Sequence, residues 1–529
     1  MGNHPSSVME DDDLFGYAPS DISDSDDNFR TDESFIHYLR RYVSFHGISS
    51  IITSNPVPSY SSTNKKMPFI RKRPDLSTFK DTELYREIKR NCDMVADNSL
   101  PDDRWSLEKL IRERENGLGR KPAGQLHTNT YRQISNLYIP NHKSQRLMSL
   151  NRQVYVAKFN KIGSRLVIAS QDHFIRVFDS SKGTYHRINK IQAQEVHWCI
   201  VDLDFSPCGE YFVYSTWSDY VFTVPLHDRG NDEFHWHHMN PEGIRTCIFS
   251  VRFSPCGNFL VGGSNEASIH MYDRTVGRRV AKLTTDTNGY NDTNAISFLG
   301  DDPNIFVSGC ESGVIKLWDK RCFTSGKPDL SVGLFVGHLD GITYIDPAND
   351  NRHFLTNSKD QSIKLWDIRR TSPREKESVV KVINSWDYRF DRVPAEFYNP
   401  TENLDGDSSI MTYRGHRVAK TLIRAKFSPK ETTGQRYIYS GCGTGRIIIY
   451  DVLTGCIKQT VDGHKDLVRD LDWHPVRNEI ISSSWDSHVN LVVFRRNELK
   501  RRQSMSSEDP SKLRRSRRLA QKRAYENYE

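Results

Sequence analysis

The sequence predicts an all-β repeat protein, and three observations lead to that fold class. First, seven units of similar pattern begin near residues 154, 199, 248, 293, 337, 415 and 463. Second, each unit holds three short runs of β-branched and aromatic residues, separated by Ser-Pro, Gly, Asn or Asp turn signals. Third, equivalent aspartates recur about every 45 residues, with 46 from Asp273 to Asp319 and 48 from Asp319 to Asp367. Such a period indicates a repeat architecture.

The middle run of each unit should form a strand that is covered on both faces. The stretches "YFVYST" (211–216), "FLVGGS" (259–264) and "EIISSS" (479–484) are apolar or small almost without interruption. Strands buried on both faces have this pattern, whereas half-exposed strands alternate between apolar and polar residues. One unit cannot bury both faces alone, so we expect the units to pack against each other in a closed ring.

The units resemble those of the WD-repeat family, over roughly residues 130–494. The marks are three Gly-His pairs and several strand-ending pairs: Gly337-His338, Gly415-His416, Gly463-His464, Trp318-Asp319 and Trp366-Asp367, with Tyr272-Asp273, Tyr450-Asp451 and Phe178-Asp179 as weaker forms. The resemblance implies that each unit contributes a four-stranded blade. The expected fold is therefore a seven-bladed WD40 β-propeller.

Closure of the ring makes a prediction about its ends. In this family the fourth strand of a blade precedes the next Gly-His, but after Phe494 the chain continues as "RRNELKRRQ", which cannot be a strand in an apolar ring. The missing strand should therefore come from before the first unit. Residues 133–141 ("QISNLYIPN") and 145–151 ("QRLMSLN") are the two candidate donors.

Two groups of polar residues look like parts of a catalytic triad. They are His338 with Ser358 and Asp360, and His464 with Ser484 and Asp486. In WD repeats, His, Asp, Ser or Thr and Trp form a network that links a loop to a strand, so we expect a structural role here. No carboxylate pair, metal-ligand cluster or nucleophile elbow stands out. The sequence thus predicts a protein without catalytic residues, cofactor or metal.

Charge divides the chain into segments. The net charge is +7, and residues 495–523 hold twelve Lys or Arg against three acids, so the rest is nearly neutral and offers no broad surface for nucleic acid. Residues 10–33 hold ten acids among serines, a composition too polar to fold. We expect a disordered head (1–75), a helix-loop-helix segment (76–130), the propeller (131–494, with an insert at about 371–408) and a basic tail (495–529).

The sequence carries few signals for membranes or for disulfides. It has no run of eighteen apolar residues and no basic n-region followed by an apolar segment, so we expect an intracellular protein without a membrane span. The nine cysteines include no C-x-x-C, and Cys199, Cys310 and Cys442 read as buried, reduced residues. Gly2 matches an N-myristoylation start, which alone would bind a membrane only marginally.

Two neighbouring units place an arginine two residues after the strand-ending Trp-Asp. The stretches are "VIKLWDKR" (314–321) and "SIKLWDIR" (362–369), and the motif residues are Trp318, Asp319 and Arg321, and Trp366, Asp367 and Arg369. Alternate turns of an antiparallel meander fall on opposite rims, so both arginines should lie side by side on one rim. The letters W-D-x-R recur in "SWDYR" (385–389), but without a preceding strand, and we give that copy no such role.

Paired W-D-x-R motifs in successive blades resemble those of the WD-repeat substrate receptors of cullin-4 RING ubiquitin ligases. The resemblance implies that both motifs meet the ligase adaptor, and through it cullin-4 and the RING protein. The planar, permanently charged fork of arginine suits such an interface, and lysine would replace it poorly.

Two helices are predicted ahead of the ring. Residues 75–91 place Leu84, Tyr85 and Ile88 on one side, and residues 102–119 place Trp105, Leu107, Leu110 and Ile111 on a short apolar stripe that ends at Gly117. Both helices would pack on the propeller in the simplest interpretation. Receptors of the cullin-4 class, however, insert a similar helix-loop-helix into the adaptor, which would make Leu107, Leu110 and Ile111 adaptor-binding residues.

The insert and the tail leave alternatives open. If "SIMTYRG" (409–415) is the fourth strand of blade five, the insert extends from the arginine-bearing rim; if "SVVKVINS" (378–385) is that strand, it lies on the opposite rim. The tail residues Lys512, Arg514, Arg515, Arg517, Arg518, Lys522 and Arg523 form a candidate nuclear-import signal. They lack interleaved aromatic residues for base stacking, so we expect no direct nucleic-acid binding.

Taken together, these features predict a non-enzymatic substrate receptor of the nucleus and cytoplasm. The acidic head, "NLYIPNH" (136–142), "WDYRF" (386–390) and the basic tail follow the order of the family of cullin-4-associated factor eleven. That family implies protein clients for ubiquitylation and proteasomal degradation, with stress-response transcription factors of the cap-and-collar type among them. The alternative is a WD-repeat scaffold of a nuclear complex, linked to RNA through the tail.

Overall fold

The computed structural model describes residues 74–92, 111, 114–115, 128–226, 234–241, 246–286, 291–323, 331–379, 386–400 and 403–495. The predicted disordered head up to residue 73, Gly2, Leu107, Leu110 and the nuclear-import residues lie outside these ranges.

Seven four-stranded antiparallel sheets form the blades of the ring. The strands of blades one to four are β2 (Val154–Phe159), β3 (Arg165–Ser170), β4 (Phe174–Asp179) and β5 (His186–Gln192); β6 (Asp202–Phe205), β7 (Tyr211–Ser215), β8 (Tyr220–Pro225) and β9 (His235–His238); β10 (Ile248–Phe253), β11 (Phe259–Ser264), β12 (Ser268–Asp273) and β13 (Arg278–Thr284); and β14 (Thr293–Phe298), β15 (Ile305–Cys310), β16 (Ile315–Asp319) and β17 (Gly333–Phe335). The strands of blades five to seven are β18 (Ile342–Pro347), β19 (His353–Ser358), β20 (Ser362–Asp367) and β21 (Met411–Arg414); β22 (Ala425–Phe427), β23 (Tyr437–Gly441), β24 (Arg446–Asp451) and β25 (Ile457–Asp462); and β26 (Val468–Trp473), β27 (Glu479–Ser484), β28 (His488–Val493) and β1 (His142–Ser149). The seven-bladed propeller predicted from the repeats is confirmed.

A strand from the N-terminal side closes the ring. β1 pairs antiparallel with β28, from His142 opposite Val493 to Ser149 opposite His488. This confirms that the last blade takes its fourth strand from before the first unit, and it selects the donor at 145–151. The other candidate, 133–141, begins instead in a helix, Thr128–Ser135.

The second strands are buried on both faces, as their composition predicts. Every residue of β27 is buried, and in β11 only Phe259 is partly exposed. Blades approach closely enough that size matters at their contacts: a Cβ added to Gly309 of blade four would lie 2.6 Å from Ile342 Cγ2 of blade five. A side chain at this position would push the two blades apart.

Ion pairs fill the channel along the ring axis. Asp202 of blade two is 1% exposed and contacts Arg252 of blade three, and it accepts a hydrogen bond from Arg424 Nη2 of blade six at 2.8 Å. Burial alone would raise the pKa of Asp202, but these arginines hold it below its usual range. Asp346 accepts the Phe427 N–H, at 2.8 Å, and burial raises its pKa to about 7.

Five short helices have both ends within the described residues: α1 (Ser77–Lys80), α2 (Glu83–Cys92), α3 (Thr128–Ser135), α4 (Ala395–Tyr398) and α5 (Lys430–Thr433), with 3-10 turns at Lys320–Cys322 and Arg374–Val379. α2 is amphipathic as predicted, because Leu84 and Ile88 are buried in one cluster with residues of blades five and six. Its apolar face is therefore covered by the propeller itself. In the described ranges, no helix has the length and apolar character that crossing a membrane requires.

Each blade exposes its turns on two rims. In blade five, His353 pairs with Asp367 and Pro347 with Phe354, so the turn at 348–352 lies beside the end of β20. One rim thus carries the turns after the first and third strands of every blade, including Arg321 and Arg369, and is called the arginine rim. The opposite rim carries the turns after the second strands and the loops between blades.

Candidate functional site

The tryptophans of the two W-D-x-R motifs lie in the core of their blades. Trp318 and Trp366 are both 0% exposed, and their indole N–H groups donate to Ser308 Oγ at 2.9 Å and to Thr356 Oγ1 at 2.7 Å. This corrects the prediction that they contact the adaptor. Their role is to fix the ends of β16 and β20, which leaves contact with a partner to the residues that follow.

In blade five the indole belongs to a chain of four groups. Thr356 Oγ1 accepts from the Trp366 indole, so its hydroxyl is left to donate to His338 Nε2 at 2.7 Å, and His338 Nδ1–H donates to Asp360 at 2.9 Å. Burial lowers the pKa of His338, which favours the neutral ring that this chain requires. The structural role expected for His338 and Asp360 is confirmed.

The hydroxyl partners of these histidines differ from the sequence prediction. His464 Nδ1 lies 3.1 Å from Asp486 and its Nε2 lies 2.8 Å from Ser482 Oγ. Ser358 and Ser484 instead donate to the backbone carbonyls of Asp340 and Asp466, at 2.8 and 3.2 Å. The register explains the shift, since residues two apart in a strand share a face and the histidines reach the earlier residue.

Arg321 is held by the aspartate of its own motif. Its Nε lies 2.9 Å from Asp319 Oδ1 and its Nη2 lies 2.7 Å from Oδ2, and this hydrogen bonding lowers the pKa of Asp319. The Arg321 side chain is nevertheless 63% exposed. Blade four therefore presents an ordered guanidinium to the solvent.

Arg369 is arranged differently. Its backbone N–H donates to Asp367 Oδ1 at 3.0 Å, but its exposed guanidinium makes no ion pair with any residue of the described ranges. The carboxylate of Asp367 is taken by Arg352, with Nε at 3.0 Å from Oδ1 and Nη2 at 2.6 Å from Oδ2. Asp367 is thus buried behind the rim, and Arg369 is left free to meet another molecule.

Arg352 also connects the rim to the N-terminal helix. Its Nη1 lies 2.9 Å from Glu83 Oε2 at the start of α2. Sequence reasoning missed both residues. The sequence did contain a signal for Arg352. Asn304 of blade four and Arg352 of blade five hold equivalent positions, because the backbone carbonyl of each accepts from the residue that follows the Trp-Asp pair of its blade. Comparing neighbouring units at that position would have singled out Arg352.

A groove of about 890 Å³ opens between α2 and blade five on the arginine rim. Arg352, Asp367, Arg369 and Arg370 line one wall, and side chains of α1, α2 and the turn between them line the other. Arg369 therefore lies at the edge of a recess, whereas the ion pair of Arg321 stands on an exposed turn.

The described residues that flank the second predicted helix lie on the arginine rim. Cys92 Sγ donates to the Thr433 carbonyl at 3.1 Å, and Asn136 Nδ2, just after α3, reaches the same carbonyl at 3.4 Å. Thr433 lies in the turn after the first strand of blade six. The described residues on either side of 93–127 are thus anchored to this rim, and Ile111, one of the few described residues between them, is helical and 37% exposed.

The insert connects the two rims. Of the two alternatives for the fourth strand of blade five, "SIMTYRG" is correct, because it supplies β21. The insert therefore leaves β20 at the arginine rim. Ser372 N–H donates to the Leu334 carbonyl of β17 at 2.7 Å, along the outer edge of blade four. Further on, the Tyr388 carbonyl accepts from Lys420 N–H at 2.7 Å, and Lys359 Nζ lies 3.8 Å from the Tyr388 ring centroid. Both lysines belong to the opposite rim, so residues 386–400 cover it.

The third W-D-x-R sequence lies within this opposite-rim segment. Arg389 Nη2 and Nε lie 2.9 and 3.1 Å from the Asp387 carboxylate, which nearly repeats the Arg321 geometry. The Arg389 side chain is only 19% exposed. This copy has the same residue types as the other two motifs, but it lies on the other rim and its arginine is less exposed.

Comparison with known proteins agrees with this architecture. Residues 237–273, 281–319, 330–367 and 455–492 match the family model described as WD domain, G-beta repeat. The fold and these matches define a WD-repeat β-propeller protein.

Individual relatives narrow the family. A "DDB1- and CUL4-associated factor 11 homolog" of Caenorhabditis elegans is 33% identical over 77% of this chain and 70% of its own length. The homolog of the same name in Caenorhabditis briggsae is 35% identical, over 76% of this chain and 73% of that protein. The LEC14B protein of Lithospermum erythrorhizon is 32% identical over 66% and 74%. The chain belongs to the family of DDB1- and CUL4-associated factor 11, which confirms the resemblance drawn from its motifs.

Proposed function

We propose that this protein is a substrate-recognition subunit of a cullin-4 RING ubiquitin ligase. It docks on the ligase adaptor through the arginine rim, and through the adaptor it joins cullin-4 and the RING protein. Ubiquitin transfer is performed by those partners, and this chain is a non-catalytic receptor that presents proteins for ubiquitylation and proteasomal degradation.

One observation carries the docking site. Two arginines occupy equivalent, exposed positions in neighbouring blades, whose first strands are joined by the Asn294 Nδ2 hydrogen bond to the Ile342 carbonyl at 3.2 Å. The names of the relatives refer to DDB1 and CUL4, which supports a ligase adaptor as the partner of this rim. Because the residues that flank 93–127 lie on the same rim, Leu107, Leu110 and Ile111 would meet that adaptor.

Clients are proposed to bind the opposite rim, because the docked adaptor would cover the arginine rim and leave the opposite rim open. The 386–400 segment, with Phe390 54% exposed, stands on the opposite rim. Stress-response transcription factors of the cap-and-collar type are the clients that the family resemblance implies. The basic residues between Lys512 and Arg523 would import the protein to the nucleus, so that it works in both nucleus and cytoplasm.

The test measures adaptor binding of four full-length proteins: wild type, Arg321→Ala, Arg369→Ala and the double variant. Circular dichroism first establishes that all four fold. Truncating an arginine at the centre of an interface costs about 2 kcal/mol or more, which is roughly a 30-fold rise in Kd. We expect each single variant to bind weakly and the double variant to lose detectable binding.

Arg389→Ala is the matched control. It removes the arginine of the third W-D-x-R copy, which lies on the opposite rim. It should bind the adaptor like wild type. Equal losses from Arg389→Ala and Arg369→Ala would mean that the arginine rim has no special role. A wild type that captures no adaptor would favour the nuclear scaffold instead, whose main partner should be lost when the basic tail is removed.

A further inference from the structure

We propose that the acidic head, residues 10–33, binds the groove between α2 and blade five and competes there with the ligase adaptor. The competition rests on the proposed function, whereas the docking of the head does not. Unpaired charges in the groove, the opposite charge of the head and the point at which the head is attached all favour this docking.

The groove has more free cations than free anions. Arg86, Arg90, Arg369 and Arg370 are exposed on its walls, and none makes an ion pair with a residue of the described ranges. Three of the four acids that line the groove are engaged, and the fourth, Asp81, is exposed and makes no ion pair with a described residue. Arg352 takes both Glu83 and Asp367, and Lys430 lies 3.7 Å from Glu87.

This pattern selects an anionic ligand with several charges in succession. The four guanidiniums without an ion pair to a described residue come from two elements that face each other across the groove, and Arg86 Nη2 donates to the Asp81 carbonyl at 3.1 Å. One carboxylate therefore cannot reach them all. Arginine forks bind carboxylates in a bidentate manner and remain charged at every physiological pH. An extended acidic peptide lying along the groove satisfies both walls.

The chain itself contains such a peptide. Residues 10–33 carry ten acids and one basic residue, Arg30, and include the runs "EDDD" (10–13) and "SDSDD" (23–27). Two other stretches of the chain concentrate charge comparably, residues 65–73 with five Lys or Arg and no acid, and the basic tail. Both have the wrong sign for this groove.

The head is attached beside the groove. Pro74, the first described residue, packs on the turn after the third strand of blade six, where a Cβ added to Gly455 would lie 2.6 Å from Pro74 Cβ. That turn belongs to the arginine rim. The roughly 40 residues between the head and Pro74 span at most about 130 Å when extended, so they reach the groove easily. Tethering makes the contact intramolecular and raises the effective concentration of the head.

Docking of the head would cover Arg369, one of the two arginines assigned to the adaptor. Adaptor binding then requires displacement of the head. The affinity of the full chain for the adaptor should therefore be lower than that of a chain whose head is neutral, and the difference should shrink as salt screens the ion pairs.

The test uses the full chain with the ten head acids changed to Asn or Gln, which frees the groove without shortening the protein. A fluorescent peptide of residues 8–35 is titrated into this variant and followed by anisotropy. We expect saturable binding that weakens at least tenfold when Arg90→Ala, Arg369→Ala and Arg370→Ala are added together. Arg278→Ala, an exposed arginine of the same rim in blade three, should leave it unchanged. Wild type should bind the peptide several-fold more weakly, because its own head competes.

The adaptor gives the second measurement. The head-neutral chain should bind the adaptor several-fold more tightly than wild type at low salt. Peptide binding that is absent, or that ignores the groove substitutions, overturns the docking of the head. Equal adaptor affinity of the two chains overturns the competition alone. If neither chain binds the adaptor, the proposed function fails, and the peptide titration still decides whether the head docks.

Discussion

Replacing Thr356 by valine tests the hydrogen-bond chain that holds the Trp366 end of blade five. The substitution keeps the shape of the side chain and removes the hydroxyl. That hydroxyl accepts from the Trp366 indole and donates to His338, at 2.7 Å in each case, and Thr356 is 0% exposed. No solvent reaches the site to replace either bond.

The magnitude follows from the number of groups left unpaired. A buried donor or acceptor without a partner costs about 1–3 kcal/mol. Thr356→Val leaves two such groups unpaired, the indole N–H and His338 Nε2, so we expect a loss of about 2–6 kcal/mol. Blade four supplies a matched control, since Ser308 occupies the equivalent position and accepts only the Trp318 indole, at 2.9 Å. Ser308→Ala strands one group and should cost about half as much.

Thermal unfolding of both variants, followed by near-ultraviolet circular dichroism, measures the difference. The ring of roughly 350 residues has an unfolding entropy of about 0.75 kcal/mol/K, so each kcal/mol lowers the midpoint by roughly 1–1.5 °C. Thr356→Val should therefore melt about 1–4 °C below Ser308→Ala. A valine variant that melts at or above the alanine variant would show that His338 does not accept from Thr356, and would refute the tautomer assigned above.

Three further outcomes are expected. Asp346→Asn should stabilise the protein above pH 7 by at most about 4 kcal/mol. Burial raises the pKa of Asp346 to about 7, so the folded wild type loses stability as the pH rises from about 4 to 7. Urea midpoints of both proteins at pH 5 and 8.5 should show a gain for the variant that is smaller at pH 5. Asp202→Asn leaves two buried arginines short of a partner and should cost about 3–5 kcal/mol, which a fall in the thermal midpoint would show and an unchanged midpoint would contradict. Tyr388→Leu removes the ring that faces Lys359 and should speed proteolytic cleavage within 386–400 while the midpoint of the ring stays the same; equal cleavage rates would mean that other contacts hold the insert.

The sequence was sufficient for the blades but not for what lies on them. The repeat period, the apolar runs and the Gly-His pairs indicate which strands are buried within one unit or against its neighbour. All three can be recognised within a short stretch of sequence. The strand that closes the ring could be narrowed only to two candidates, because either segment offers enough apolar residues, and pairing with β28 selects residues 145–151. The path of the insert could not be read either. It depends on Tyr388 meeting Lys359 and Lys420, which lie about 30 residues away on either side.

The candidate site shows the same limit at the level of single side chains. The sequence placed Arg321 and Arg369 on one rim but made them equivalent. Their difference comes from Arg352, which stands fifteen residues before Asp367 and reaches it only because β19 and β20 are paired. The buried indoles of Trp318 and Trp366 were misplaced for a related reason, since a motif read as letters does not separate the residue that builds the strand end from the residue that faces outward.

Three copies of W-D-x-R therefore serve three arrangements in one chain. In all three the backbone N–H of the arginine donates to the aspartate carboxylate, at 2.9, 3.0 and 2.9 Å. The four-residue turn is therefore a local property of the sequence. The guanidinium is paired and exposed in Arg321, lies at a groove without an ion pair to a described residue in Arg369, and is paired and mostly covered in Arg389. Which of these occurs depends on neighbours that the motif does not contain. A partner that recognises the rim must read that context, since the letters alone would direct it equally to Arg389 on the wrong side of the ring. For this reason Arg389→Ala, rather than an unrelated surface variant, is the control that separates recognition of a motif from recognition of a rim.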